Sequence, residues 1–299
     1  MRIPLLIVSI SICCSSIASA AEPFKLDAAK IEEAAGAKGT LNKEEGVFKV
    51  SYPRSDVKVT VDGTPLPPFM GLTSWAAFMS GTTSEAMVMG DTVLFQDEVN
   101  PVMSEALDKG LAVTALHNHF FFDEPKVYFM HIEGEGDAVK LAAAVKTIQD
   151  KIKQIRRAAP TPSGTFGLAP FAAKTNITPA SIEENLGKGQ AKDGMYKVVI
   201  GRTTKMPCGC TVGKEMGVNT WAAFYGTDDR ALVDGDFVTF DGELQPVLKS
   251  LRASGINIVA IHSHMEGESP KAIFLHYWGI GPARELAKNV KAAIDTQAK

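Results

Sequence analysis

The chain has 299 residues, 45% of them hydrophobic and 22% charged, and a formal net charge of −3 that becomes −4 without Arg2 and the rest of the first twenty residues. That is a globular composition, long enough for two domains that each bury a core, and it excludes a disordered or low-complexity protein. A mildly acidic chain without a basic cluster excludes nucleic acid as an expected partner and leaves a small molecule or a metal ion as the expected ligand.

Met1-Arg2, the apolar run Ile3 to Ile12 and the small residues Ala18-Ser19-Ala20 form the pattern of a secretory signal over residues 1–20. The run is too short to span a bilayer. The residue before Cys13 is Ile12, not the small residue of a lipid-attachment site. The expectation is therefore cleavage at about Ala20, a periplasmic or secreted product, and no integral membrane segment after removal. Only Cys208 and Cys210 then remain. In an oxidising compartment this Cys-x-Cys pair is expected to close a disulfide across a surface turn, with two soft metal ligands as the alternative.

Leu26 to Ala35 has helical spacing, with Asp27 near its start and Gly36 past its end. Val47–Val50 and Val57–Val61 predict short strands, and Asp62-Gly63 a turn. Leu72–Met79 and Ala86–Phe95 predict further strands, with Trp75 and the Ala-Ala-Phe run packed in the core and Gly90-Asp91 as turn chemistry. Asn100–Lys109 reads as a helix closed by Gly110. Leu111–Leu116 and Lys126–Met130 read as strands running into His117 and His131, and Asp137–Ile155 as a long amphipathic helix. Residues 156–174, with Pro160, Pro162, Gly164 and Pro170, predict a linker. Beyond it strands over Ile256–Ile261 and Lys271–Leu275 and a helix over Pro282–Ala293 repeat the earlier order.

That recurrence is an internal repeat. Trp75-Ala-Ala-Phe78 returns as Trp221-Ala-Ala-Phe224, Gly90-Asp91 as Gly235-Asp236, and Glu98-x-x-Pro101 as Glu243-x-x-Pro246. Residues 24–155 are one copy and 175–297 the other. The fold class expected is α+β: two tandem homologous repeats, each a mostly antiparallel sheet with helices on one face, related by a pseudo-two-fold axis.

All six histidines fall in the repeat. His117, His119 and His131 return as His262, His264 and His276, each at an offset of 145. In a strand, residues i and i+2 share a face, so each His-x-His pair projects together. A turn centred on Glu124 would set His131 directly opposite His117, on the same face. Three converging imidazoles suit a divalent transition metal, zinc or copper above others, and leave a position open for water or substrate. Asp123 and Glu268 occupy equivalent positions beside the two sets. They are the candidate catalytic acids or bases, with a solvated loop charge as the bland alternative.

Gly71-Leu-Thr-Ser-Trp-Ala-Ala-Phe78, Met89-Gly-Asp91, Asp97-Glu-Val-Asn-Pro-Val102, Ala115-Leu-His-Asn-His-Phe120, Glu124-Pro-Lys126, Phe129-Met-His-Ile132 and Ala260-Ile-His-Ser-His264 resemble the bacterial DUF1259 family, which includes LppY/LpqO-like lipoproteins. The resemblance covers nearly all of the chain beyond residue 20. It implies an exported protein of two related segments and assigns no activity; the missing lipid-attachment site is the departure. Three functions stay open. One is a periplasmic metal-dependent hydrolase, in which each three-histidine set holds a metal that acidifies a water. A second is a non-catalytic zinc- or copper-binding envelope protein. The third is a metal-free phosphoesterase using two histidines as acid and base, which would leave His131 and His276 idle.

Overall fold

The computed structural model describes residues 25–171 and 174–297; the signal sequence lies outside them. The first copy runs α1 (Ala28–Ala35), β1 (Gly39–Asn42), β2 (Val47–Pro53), β3 (Val59–Val61), β4 (Thr64–Leu66), β5 (Thr73–Ser80), β6 (Ala86–Phe95), α2 (Val99–Asp108), β7 (Ala112–His117), β8 (Asp123–Glu124), β9 (Val127–Gly136) and α3 (Ala138–Ala158). The second runs α4 (Pro179–Leu186), β10 (Gln190–Lys192), β11 (Met195–Gly201), β12 (Thr204–Lys205), β13 (Thr211–Val212), β14 (Asn219–Gly226), β15 (Ala231–Thr239), α5 (Leu244–Ala253), β16 (Asn257–His262), β17 (Ile273–Gly281) and α6 (Ala283–Ile294). Local rules set the ends. The Asp27 carboxylate caps α1 by accepting from the amides of Ala29 and Lys30, and Gly36 closes it at φ 64°.

Twelve strands form one antiparallel sheet in the order β1-β2-β5-β6-β9-β7-β16-β17-β15-β14-β11-β10. The copies join at the centre, where Leu116 of β7 pairs with Ile261 of β16. These are equivalent positions at the 145 offset, so the pseudo-two-fold axis passes between them. Alternation then sorts the side chains. Ala76 and Phe78 of β5, and Phe224 of β14, enter a core shared by both copies. The helices cover that face, α1 against α3, α4 against α6, and α2 against α5 across the axis. The sequence suggested two cores, one per copy; the structure has one continuous core because β7 and β16 are spliced.

Side-chain amides secure the splice. The Asn100 amide donates to the Ile258 carbonyl (3.1 Å) and accepts from its N–H (2.8 Å). Its equivalent Gln245 treats Val113 in the same way, at 2.8 and 2.9 Å. Both strands shift register here, between Val113 and Ala115 and between Ile258 and Ala260, so the amides replace missing ladder bonds. Asn100→Ala would leave a buried donor and acceptor unmet. It is expected to cost about 1–3 kcal/mol, read as a lower urea midpoint at unchanged slope.

A second duplicated device anchors α2 and α5. Arg54 forks onto Glu98 (2.8 and 3.0 Å) and Asp56 (2.9 Å), and Glu98 accepts from the Phe95 amide at 2.8 Å. Arg156 of α3 adds an ion pair to Glu98 at 2.9 Å. In the other copy Arg202 forks onto Glu243, which accepts from the Phe240 amide at 2.8 Å. Each guanidinium also lies over an aromatic ring, Phe95 at 4.5 Å and Phe240 at 4.1 Å.

After α3 the chain is an irregular strap. Phe166 packs edge-on against Trp278, and Arg230 donates to the carbonyls of Ala169 and Pro170. Among the described residues no helix is long and apolar enough to cross a membrane.

Candidate metal centres

The sheet face away from the helices carries the histidines. His117 ends β7, His119 follows two residues later, and His131 lies inside β9. His131 pairs with Ala115 rather than His117, whose partner is Phe129. The expected register is off because the connection is not a simple hairpin: β8 leaves it to pair with β3, Glu124 opposite Thr60. The error is two residues, and only an odd slip turns a side chain to the other face. Convergence survives. His131 Nε2 stands 3.1 Å from His117 Nε2, and the His119 ring centre is 5.1 Å from that of His117.

The second copy repeats this. His262 Nε2 is 3.1 Å from His264 Nε2, and the His276 ring stacks at 4.8 Å on His262. Two nitrogens bound tetrahedrally to one zinc would sit ~3.3 Å apart, given Zn–N bonds of about 2.05 Å. The His119 and His264 rings lie flat on Phe129 and Phe274, at centroid distances of 3.4 and 3.6 Å. The Asn118 amide ties the first loop to the Val127 carbonyl at 2.7 Å.

The carboxylates brought to the histidines are Asp91 and Asp236. Asp91 pairs directly with His131 and Asp236 with His276. Gly90-Asp91 and Gly235-Asp236 are therefore not turns but the middles of β6 and β15, which corrects the sequence reading. The available signal was a charged residue inside a buried apolar run, repeated at the offset of the histidines. Asp236 Oδ2 lies 3.4 Å from His264 Nε2. Ligand atoms of Asp236, His262 and His264 all fall within 4.8 Å of one another, a group that could hold a metal ion. Asp91 Oδ1, Asp236 Oδ1 and His262 Nδ1 are buried with no hydrogen-bond partner.

Burial pushes the Asp91 and Asp236 carboxyls up, against the pull of the neighbouring imidazoles. It pushes His117 and His119 down, helped by repulsion from His131 and His117 respectively. His262 falls to about 4, through burial and then His276 and His264. Neutral imidazole is the form that binds metal.

Asp123 and Glu268 are placed elsewhere. Asp123 is buried and accepts from the Val127 amide at 2.6 Å and from Lys126 at 3.1 Å. Glu268 accepts from the Ala272 amide at 2.9 Å. Each carboxylate closes its own turn around a cis prolyl bond, Glu124–Pro125 or Ser269–Pro270. Trp75 and Trp221, expected in the core, are half-buried on the open face instead. Strand alternation gives the helix side to Ala76 and Ala222, and lysines cover the rings, Lys49 at 4.2 Å and Lys197 at 4.0 Å. Cys208 and Cys210, expected as a disulfide, are free and exposed in a turn whose Met206 amide bonds the Cys210 carbonyl.

His131 and His276 are three strand spacings apart across the sheet, about 14 Å. His117 and His262, by contrast, end the neighbouring strands β7 and β16, so the two histidine sets meet at the splice.

No curated protein matches the chain. A trimeric bacterial microcompartment shell protein, PduB, is similar at 12% identity over 86% of this chain and 89% of its own, with a TM-score of 0.22, a level at which neither fold nor function transfers. A family model described as Domain of Unknown Function (DUF1259) matches residues 29–151 and again 180–296, once in each copy, and the chain belongs to that family.

Proposed function

We propose that this is an exported metal-binding protein holding one divalent transition metal in each half, and that it acts as a metal-dependent hydrolase. His117, His119, His131 and Asp91 would hold one ion; His262, His264, His276 and Asp236 the other. The observation that carries the reading is the convergence of Asp236, His262 and His264 around a buried carboxylate oxygen with no other partner. Three imidazoles and a carboxylate, without thiolate, suit zinc better than a softer ion. When bound, such an ion supplies Lewis acidity at its open position. The chain itself keeps the imidazoles neutral by burial, fixes the rings on Phe129 and Phe274, and leaves His119 and His264 exposed for a substrate to approach. The metal-free two-histidine reading gains no support, because His131 and His276 stand against the other histidines rather than idle. Export rests on the sequence of residues 1–20.

The test is elemental analysis of untagged protein, with about two zinc or copper ions per chain expected from two donor sets. A metal-free protein that cleaves phosphodiesters would overturn the proposal. A metal-loaded protein inert on a panel of esters and phosphoesters would reduce it to a metal carrier.

A further inference from the structure

The two halves differ around their centres. In the second, a cleft of about 580 Å³ has Asp236, His264 and Glu215 in its lining, with Trp221 and three lysines, Lys188, Lys197 and Lys214. Lys197 is held over the Trp221 ring at 4.0 Å. The stem of Lys214 lies against Gly201, where a Cβ would come within 2.8 Å of it. The turn that carries Lys214 ends at Gly217, whose Cβ position is 3.8 Å from His264 Nδ1. Among the described residues Lys188 and Lys197 have no carboxylate partner. Lys214 has only the loose contact of exposed Glu215 at 4.0 Å. The first half keeps Lys49 as the counterpart of Lys197 but has no counterpart of Lys214. Aligned on Gly71 and Gly217, Pro68-Phe69 stands where the second half has Lys214-Glu215, and Phe69 is 97% exposed. Lys38, the counterpart of Lys188, is tied to Glu32 at 2.7 Å.

We propose that this cleft binds a phosphate group, free or carried by a small phosphomonoester, with Lys188, Lys197 and Lys214 pairing its oxygens beside the second metal centre. Three ammonium groups and a divalent ion around one concave wall match a doubly charged oxyanion better than a singly charged carboxylate. The Trp221 ring offers a flat wall to whatever the phosphate carries. The inference rests on the metal reading for the ion's share of the charge. The lysines are the chain's own and can be tested without it.

The experiment is titration of the full chain with inorganic phosphate by calorimetry at low salt, in zinc-loaded and zinc-free protein, with glycerol phosphate and acetate as further arms. The double variant Lys188→Ala/Lys214→Ala is expected to weaken phosphate binding about tenfold or more, without changing metal content. Lys188→Arg/Lys214→Arg should restore it. Tighter binding of glycerol phosphate than of inorganic phosphate assigns the ester as ligand, and the reverse assigns the free ion. Both positions are exposed, so loss of folding does not confuse the result. Unchanged binding in the double alanine variant, or acetate binding as tight as phosphate, overturns the proposal. Lysine-dependent phosphate binding in a protein that takes up no zinc would keep the anion site and overturn the metal reading instead.

Discussion

Glu98→Ala is expected to lower stability by about 3–5 kcal/mol, a large part of the 5–15 kcal/mol that holds an ordinary domain folded. The carboxylate is fully buried, and its loss strands the Arg54 guanidinium, the ion pair from Arg156 and the Phe95 amide together. Arg54 and Arg156 keep Asp56 and Asp97, which holds the cost within that range. Urea titration should show a lower midpoint with the slope preserved. The equivalent Glu243→Ala is expected to cost less, about 1–3 kcal/mol. Arg202 is 22% exposed, so water can reach it, and the Gln297 amide that also donates to Glu243 is uncharged. Replacing both members of the first pair, as Arg54→Met/Glu98→Leu, should recover much of the loss, since no charge then remains buried alone. Acid should act in the same direction. Burial pushes Asp56 and Glu243 up, but the facing arginines outweigh it and hold both below their ordinary values. A depressed folded pKa means the stabilisation is complete above the ordinary carboxylate range and is lost as pH falls through the folded value.

His262→Ala is expected to leave one metal ion per chain where the unaltered protein holds two. His117 and His262 end neighbouring strands, but His117 Nε2 stands against His131 and His262 Nε2 against His264, so each ion is expected to depend on its own set. Zinc present at a hundred times its Kd would stabilise by about 2.7 kcal/mol per site, hence ~5 kcal/mol for both. Chelation should remove all of that from the unaltered protein and half from the variant, read as the shift in thermal midpoint. Asp236→Asn keeps the shape and removes the charge, so it should weaken the second ion without affecting the first. Equal loss of both ions in His262→Ala would mean a single shared centre.

The site's location was legible because histidine occurs nowhere else in the chain, so one strand rule placed the imidazoles on a common face. Asp91 was not, because Gly-Asp is ordinary turn chemistry and nothing local reveals that β6 passes straight through it. Trp75 was misplaced because an aromatic in a strand usually packs inward, and the lysine that lies over its ring is 26 residues away in sequence. The register missed by two residues because β8 is drawn off to β3, a partner that the hairpin pattern does not show. Least legible was the single twelve-stranded sheet. It depends on one backbone pairing, Leu116 with Ile261, and on two amides that reach across it.

That pairing has the self-complementary form of an isologous subunit contact, built inside one chain. In a symmetric dimer any substitution at one centre is imposed on the other. Covalent joining releases this constraint, so the halves can keep a common donor set while their rims specialise. Pro68-Phe69 in place of Lys214-Glu215, and Phe121-Phe122 in place of Glu266-Gly267, are the outcome: one oily threshold and one charged threshold on a shared platform.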